Sequence, residues 1–235
     1  MSPNIPLHHI FTAVPGRYDL INHIITWGLD WWWRRRAAEE CLRSQPARVL
    51  DLACGTGDLG LNIAQLAPNS LAVLGLDYSR PMLEIAAGKA KTLAGQNISF
   101  IHGDAANLPF PDGSFDCVGI SFAFRNLTYR NPLAPHHLAE VRRVLNPGGR
   151  YVIVESSQPE SKLIRGLFHL YLRWFVYPIG HLLSGNKRAY HYLAQSAARF
   201  YTAEEVKAML LRAGFREVHY HPLLFGAAAI HVAIK

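Results

Sequence analysis

Val49-Leu50-Asp51-Leu52-Ala53-Cys54-Gly55-Thr56-Gly57-Asp58 reads as an apolar strand that runs into a glycine turn with a carboxylate on each side. Gly55, Gly57 and Gly60 satisfy the G-x-G-x-x-G spacing, and Asp77 follows about 20 residues on, where an acid facing a ribose would sit. Taken alone, that spacing admits a dinucleotide. Asp51 and Asp58 argue against one, because a pyrophosphate would meet both carboxylates at the turn. A unit charge pair at about 4 Å is worth roughly 4 kcal/mol at an effective dielectric of 20. A ligand with an ammonium and a sulfonium is attracted there instead, which points to S-adenosylmethionine.

Working outward, strand patterns fall at 48–52, 71–76, 98–102, 117–121, 151–154, 215–220 and 228–234. Helical patterns fall at 18–26, 30–42, 59–67, 81–93, 135–144 and 203–212. Their alternation predicts an α/β fold, a mostly parallel seven-stranded sheet with helices on both faces. Asn146-Pro147-Gly148-Gly149 reads as a turn before the fifth strand. Thr202 with Glu205 forms a capping box, and Gly214 ends the helix it opens. Aromatic-rich helical sequence over 158–200 interrupts the alternation and predicts a lid on a single domain, with residues 1–45 as an N-terminal helical cap.

The chain has 235 residues, half of them apolar, enough for one full core. Its net charge of +7 suits an anionic partner, either nucleic acid or an acidic membrane surface. Cys41, Cys54 and Cys117 have no C-x-x-C spacing, so neither a disulfide framework nor a metal site is expected. No basic-then-apolar leader opens the chain, which fits a cytoplasmic location. Residues 163–183 approach the length of a membrane span, yet they contain Arg165, Arg173, His169, His181 and Pro178. An arginine at a helix centre costs about 2.5–3.5 kcal/mol on insertion, so an interfacial or lid helix is expected.

Ligands bind open α/β sheets outside the carboxyl ends of the strands. There Asp51 and the Gly55–Gly57 turn would hold the amino acid end of the ligand, and Asp77 would accept from both ribose hydroxyls. Asp104 would accept from the adenine amino group, Ala105 would donate its N–H, and Ser121 would lie beneath the sulfonium.

The chain also resembles the ubiquinone/menaquinone biosynthesis C-methyltransferases, a branch of the Rossmann-like class I S-adenosylmethionine-dependent enzymes. The resemblance runs through Tyr18-Asp19-x-x-Asn22, Gly28, Trp33-Arg34, the 51–58 block, GLDYSRPML at 75–83 and GDAANLPFPDGSFD at 103–116. It continues through RNLTYRN at 125–131, EVRRVLNPGG at 140–149, YLAQSAARF at 192–200 and AGF at 213–215. It implies Thr56, Asp77, Asp104, Ala105 and Ser121 as cofactor contacts, joined by Tyr78 in the 75–83 block. It further implies methylation of a ring carbon on a reduced, prenylated quinol. Arg125 would then stabilise the developing oxyanion and Asn126 would orient the ring oxygen. Tyr18, Asp19 and Asn22 would close the site from the N-terminal side, and Tyr192 and Ser196, four apart on the lid, would border the ring. The family's Phe-Gly-Leu-Arg-Asn is Phe122-Ala123-Phe124-Arg125-Asn126 here, and its Glu-Phe-Ser-x-Pro is Glu155-Ser156-Ser157-Gln158-Pro159. The choice between a naphthoquinol and a benzoquinol is therefore open, with demethylmenaquinol favoured.

A prenylated substrate lives in a bilayer. Trp31-Trp32-Trp33-Arg34-Arg35-Arg36 pairs interfacial aromatics with cations, as expected for peripheral contact with an anionic leaflet. Phe168, Leu170–Leu172 and Trp174–Val176 offer a second apolar surface. A second copy of the chain is a further candidate partner. Three rivals remain: an NAD-dependent oxidoreductase, a nucleic-acid methyltransferase and a non-catalytic cofactor-binding protein. The acids at the turn oppose the first. The second lacks the Asn-Pro-Pro-aromatic signature, since Asn146-Pro147 continues with Gly-Gly. Arg125-Asn126 opposes the third.

Overall fold

β1 (Arg48–Leu52) sends Leu50 and Leu52 into one core and Val49 into the other, so its alternation already divides the molecule into two faces. The computed structural model describes residues 15–92, 97–185 and 187–235; the side chains of 15–18 and 187–189 lie outside that description. Before β1 come α1 (Pro15–Ile25) and α2 (Leu29–Leu42). After it follow α3 (Asp58–Leu66), β2 (Ala72–Asp77), α4 (Arg80–Ala90), β3 (Ile98–His102) and β4 (Phe115–Ser121). The chain continues through α5 (Phe124–Thr128), α6 (Ala134–Val144), β5 (Leu145–Ser156), α7 (Lys162–Tyr171), a π-helical turn (Leu172–Val176), α8 (Tyr177–Ser184) and α9 (Lys187–Ala198). It ends with α10 (Ala203–Arg212), β6 (Glu217–Leu223), a short 3₁₀ turn and β7 (Ala228–Ile234).

The seven strands lie in the order β3-β2-β1-β4-β5-β7-β6, and β7 runs antiparallel to both its neighbours. The chain winds from β1 outward to β3, then returns to β4 on the other side of β1. The crevice at that reversal, between the carboxyl ends of β1 and β4, is where the fold leaves room for a ligand. α2 and α3 bury Trp33, Ala37, Cys41, Leu59 and Ile63 against Val49 and Val73 on one face. α6 and α10 bury Leu138, Val141, Val206 and Leu210 against Leu50 and Leu52 on the other.

The elements end within about three residues of the sequence reading, except that β5 begins at Leu145 rather than 151 and that α5 has no counterpart in the reading; two further departures concern arrangement. Asn146–Gly149 is an excursion inside β5: Phe115 pairs with Leu145 and Cys117 with Arg150, so the turn residues bulge out and the ladder then resumes. The 1–45 cap is also divided. α2 packs on the sheet, whereas Ile21 and Ile25 of α1 join Leu172, Val176, Tyr190, Ala194 and Ala197 in a separate core with the lid helices. Residues 163–183 pass from α7 through the π-helical turn into α8, whose first turn holds Pro178, and among the described residues no helix is long and apolar enough to cross a membrane.

The capping box forms as expected: Thr202 Oγ1 accepts from Glu205 N at 3.2 Å, and Glu205 Oε2 accepts from Thr202 N at 2.8 Å. Thr202→Ala removes one of the two, and thermal melting should register a loss of about 1 kcal/mol, or about 2–4 °C at this chain length.

Candidate active site

The turn after β1 encloses a cavity of about 180 Å³ lined by Asp51, Gly55, Thr56, Asp77, Tyr78, Ser121 and Asn126 among others. It therefore gathers seven of the positions read from the sequence. Asp51 is buried; its Oδ2 accepts from Gly60 N at 2.8 Å, and its Oδ1 has no partner among the described residues. Burial pushes the Asp51 carboxyl up to about 7, with Asp77 and Asp58 adding to the rise against the Gly60 hydrogen bond and Arg34. Asp77 accepts from Gly55 N and Ser79 N, both at 2.8 Å, so its carboxylate is fixed between two loops. Burial raises its carboxyl too, against those two bonds and a third from Tyr78.

Gly57 does not line this cavity. It caps α3 at φ +83°, where a side chain would meet Ala86 and Phe100 within 3.0 Å. Asp58 is also less available than the charge argument assumed. Lys89 Nζ holds its Oδ1 at 2.5 Å, and Arg34 lies 3.9 Å from its Oδ2. The cation preference of the turn therefore falls to Asp51 and Asp77. Asp19 of α1 closes the turn from above: its Oδ1 accepts from Thr56 Oγ1 at 2.6 Å, and its Oδ2 pairs with Lys89 at 2.7 Å. Asp104 and Ala105 lie just beyond the end of β3, whose His102 pairs with Asp77. They do not line the cavity, and Asp104 Oδ1 accepts from Ala106 N at 2.9 Å.

A larger cavity of about 440 Å³ meets the first at Arg34 and Phe122, which line both. Its walls are mostly apolar, from Ile25, Trp27, Trp33, Ile164, Leu167, Phe168, Tyr171, Leu172, Val176, Leu193 and Phe225. Polar groups enter from two directions: Asn22, Thr26, Asp30 and Arg34 from α1 and α2, and Arg125 and Ser156 from the sheet side. Non-glycine residues with left-handed backbone gather around the two cavities. Ala53 (φ 51°) and Phe122 (φ 54°) line the first, and Trp27, Phe122, Leu224 and Phe225 line the second. Strain of this kind persists where a surrounding site holds it.

Arg125 is buried; its Nη1 donates to Glu155 Oε1 at 3.1 Å and to Ser156 Oγ at 2.8 Å, while its Nε–H has no partner among the described residues. Asn126 faces the smaller cavity, and its buried Oδ1 is likewise without a partner there. The Arg-Asn pair thus divides between the two spaces. Asn22 lines the apolar cavity, but Tyr192 and Ser196 do not; from the same helix Leu193 and Ala197 do. Ser196 Oγ donates to Leu193 O at 3.2 Å. The Tyr18 side chain lies outside the described residues.

Two residues hold places in this site that the sequence reading did not give them: Asp30, which it did not single out, and Arg34, which it set among cations facing a leaflet and which is buried instead. Arg34 Nε donates to Ser121 Oγ at 3.1 Å, its Nη1 pairs with Asp30 Oδ2 at 2.5 Å, and its guanidinium lies over the Phe122 ring at 5.3 Å. Asp30 Oδ1 accepts from Thr26 Oγ1 at 2.9 Å and contacts His23 Nδ1 at 3.0 Å. Burial alone would raise the Asp30 carboxyl, but Arg34, Thr26 and His23 together hold it below the usual carboxylate range. The i,i+4 spacing of Asp30 and Arg34 was the available signal. Trp33 belongs to the core, so only Trp31 and Trp32 of the tryptophan run are exposed, each under the guanidinium of Arg35 or Arg36.

An unpartnered buried carboxylate oxygen beside a second raised carboxyl is a poor place for a phosphate and a good one for an ammonium. The residues present therefore fit S-adenosylmethionine: Asp51 and the Gly55 turn would hold its amino acid end, and Asp77 its ribose.

The comparisons agree with that chemistry. The model of the ubiE/COQ5 methyltransferase family matches residues 2–235. Demethylmenaquinone methyltransferase of Thermus thermophilus is 44% identical over 224 residues, covering 95% of this chain and 98% of the relative. The enzyme of the same name from Deinococcus radiodurans is 41% identical over 231 residues, covering 97% and 92%. Among solved structures, a S-adenosylmethionine-dependent methyltransferase from Thermotoga maritima aligns with a TM-score of 0.59 at 20% identity, over 97% of this chain and 99% of that one. At that identity it speaks for the fold alone.

Proposed function

The chain belongs to the ubiE/COQ5 methyltransferase family and is a S-adenosylmethionine-dependent methyltransferase, and from that premise we propose that it methylates a ring carbon of demethylmenaquinol. The observation that carries the reading is the junction of a small acid-lined cavity with a larger apolar one at Arg34 and Phe122. A polar donor site opening into an apolar chamber suits a substrate with a hydroxylated ring and a hydrocarbon tail.

S-adenosylmethionine, when bound, supplies a methyl group on a positively charged sulfur. The protein's share is to seat the ring, to favour the charge that grows on its oxygen and to keep water away. Near-attack contact needs reacting atoms about 3–3.5 Å apart, which Asn126 and Phe122 would enforce at the junction. Arg125 keeps its proton in any protein setting. Its unpartnered Nε–H is a donor for a ring oxygen that turns into an oxyanion, in an environment where such a bond is strong. Asp19 and Lys89 latch α1 over the turn, and Leu193 and Ala197 replace Tyr192 and Ser196 in our assignment of the ring's border.

Trp27, Leu167, Leu224 and Phe225 line the apolar cavity and are exposed; Leu163, Leu170 and Trp174 of the lid are exposed as well. We assign this rim to the cytoplasmic leaflet of an anionic membrane, from which the prenyl tail enters. The test is transfer of labelled methyl from S-adenosylmethionine to reduced demethylated naphthoquinone and benzoquinone in vesicles containing anionic lipid. Label is expected mainly in the naphthoquinol, with vesicle binding that weakens as salt rises. No label in either quinol would refute the assignment, and equal label in both would remove the preference.

A further inference from the structure

We propose that Asp30 and His23 are the proton outlet of this active site: Asp30 takes the proton that ring methylation releases, and His23 passes it to water. The inference rests on the quinol reading above. Replacing a ring C–H by C–CH₃ frees one proton per turnover: the hydroxyl proton leaves as the ring carbon becomes nucleophilic, and after methyl transfer the C–H proton moves to the oxygen, restoring the hydroxyl and the aromatic ring. The apolar chamber must therefore export a proton each cycle, and Arg125 cannot accept one.

Asp30 occupies the wall through which it can leave. With Arg34 it lines the apolar cavity on one side, and on the other a polar hollow of about 490 Å³ that His23, Asp19, Asp58 and Lys89 also line. Asp30 is 6% exposed, whereas the side chain of its partner His23 is 60% exposed. A continuous set of contacts thus runs from the apolar cavity through Thr26 Oγ1 and Asp30 to the His23 ring, with steps of 2.9 Å and 3.0 Å. The spacing is within reach for proton transfer.

The charged groups around the pair suit the task. Arg34 of α2 binds Asp30 Oδ2 and keeps the carboxylate ionised, so that it holds a proton only in transit and gives it up readily. Asp58 of α3 and Asp19 of α1 place negative charge on the hollow, offset by Lys89 of α4. The proton goes from the quinol O–H to the Asp30 carboxylate, from there to His23 Nδ1 in the tautomer that carries its own proton on Nε2, and the Nε2 proton leaves from the exposed edge to water. Exchange of tautomers through solvent then returns both residues to their starting state.

The experiment compares wild type, His23→Ala and Asp30→Asn in methylation of the reduced naphthoquinol across pH 6–9, with and without added imidazole. His23→Ala is expected to lower kcat near neutral pH about 10–100-fold, to alter its pH profile, and to leave KM and the S-adenosylmethionine Kd within about twofold. Imidazole in the buffer should restore the rate in proportion to its concentration, because the vacated site is open to solvent. Asp30→Asn should lower kcat further and gain nothing from imidazole. A His23→Ala enzyme with the wild-type rate and pH profile, or a lost rate that imidazole does not recover, would overturn the outlet while the active wild type upholds the quinol reading. A wild type inactive on the quinol would overturn both.

Discussion

Asp51→Asn is expected to make the ligand-free protein more stable at pH 7.5 and to weaken S-adenosylmethionine binding about 100-fold, from the loss of a buried charged partner. The carboxyl of Asp51 is raised by burial to about 7 from an ordinary value of 3.8. Between about pH 4 and pH 7 the folded chain therefore holds a proton that the unfolded chain has released. Stability falls as pH rises through that window, and above it the folded state bears a cost on the order of 4 kcal/mol. An asparagine bears no such charge. It still leaves a buried amide short of a partner, at about 1–3 kcal/mol, so the net gain should be about 1–3 kcal/mol, or roughly 2–12 °C in melting temperature. At pH 4 the gain should vanish. Isothermal titration should find the wild type losing affinity about tenfold per pH unit below pH 7, since only the ionised carboxylate pairs with the ligand ammonium. A variant that is no more stable at pH 7.5 and binds as well as the wild type would show that Asp51 is an ordinary buried acid. A group that destabilises the empty fold in order to recognise a cation is the trade-off expected at a binding site.

The parts of this site that the sequence disclosed are those built from neighbours along the chain. Gly55 and Gly57 follow a five-residue apolar strand and need backbone that few residues supply, so turn and strand announce each other. Thr202 and Glu205 complete their cap within one helical turn. Asp77 ends β2, and its place beside β1 follows from the parallel order once the alternation is read. The substrate side is assembled differently. Arg34 meets Ser121 across 87 positions, and Arg125 meets Glu155 across 30. Asn22, Thr26, Asp30 and Arg34 recur every four residues, but Trp27 and Gly28, both at positive φ, break the helix between them, so a single helical period could not be assumed. The lid is similar: Tyr192 and Ser196 share a helical face near Arg125, while Leu193 and Ala197 of the neighbouring face line the apolar cavity, a division that helical spacing alone does not give. The NPGG turn was visible, but its outcome as a bulge required β4 to pair on both sides of it.

Arg125→Met is expected to abolish most turnover and much stability together, and a second substitution should separate the two. Loss of a donor to a developing oxyanion typically costs about 10²–10³ in kcat, with cofactor affinity little changed because Arg125 does not line the smaller cavity. The same change strands Glu155, whose side chain is 3% exposed, as a buried charge. Breaking a buried pair from one side costs about 3–5 kcal/mol, which at this length predicts a melting temperature lower by roughly 6–20 °C. Glu155→Gln added to Arg125→Met removes the stranded charge. Its single oxygen keeps one of the two backbone N–H groups, those of residue 125 and Ser156, that Glu155 Oε2 and Oε1 accept at 2.9 Å and 2.8 Å. The double variant should therefore regain part of the lost melting temperature and none of the lost turnover. Recovery of turnover along with stability would reduce Arg125 to a structural partner of Glu155, and the oxyanion would need another donor. Recovery of stability alone isolates the chemical role, because the two variants differ at the carboxylate and agree only in lacking the guanidinium.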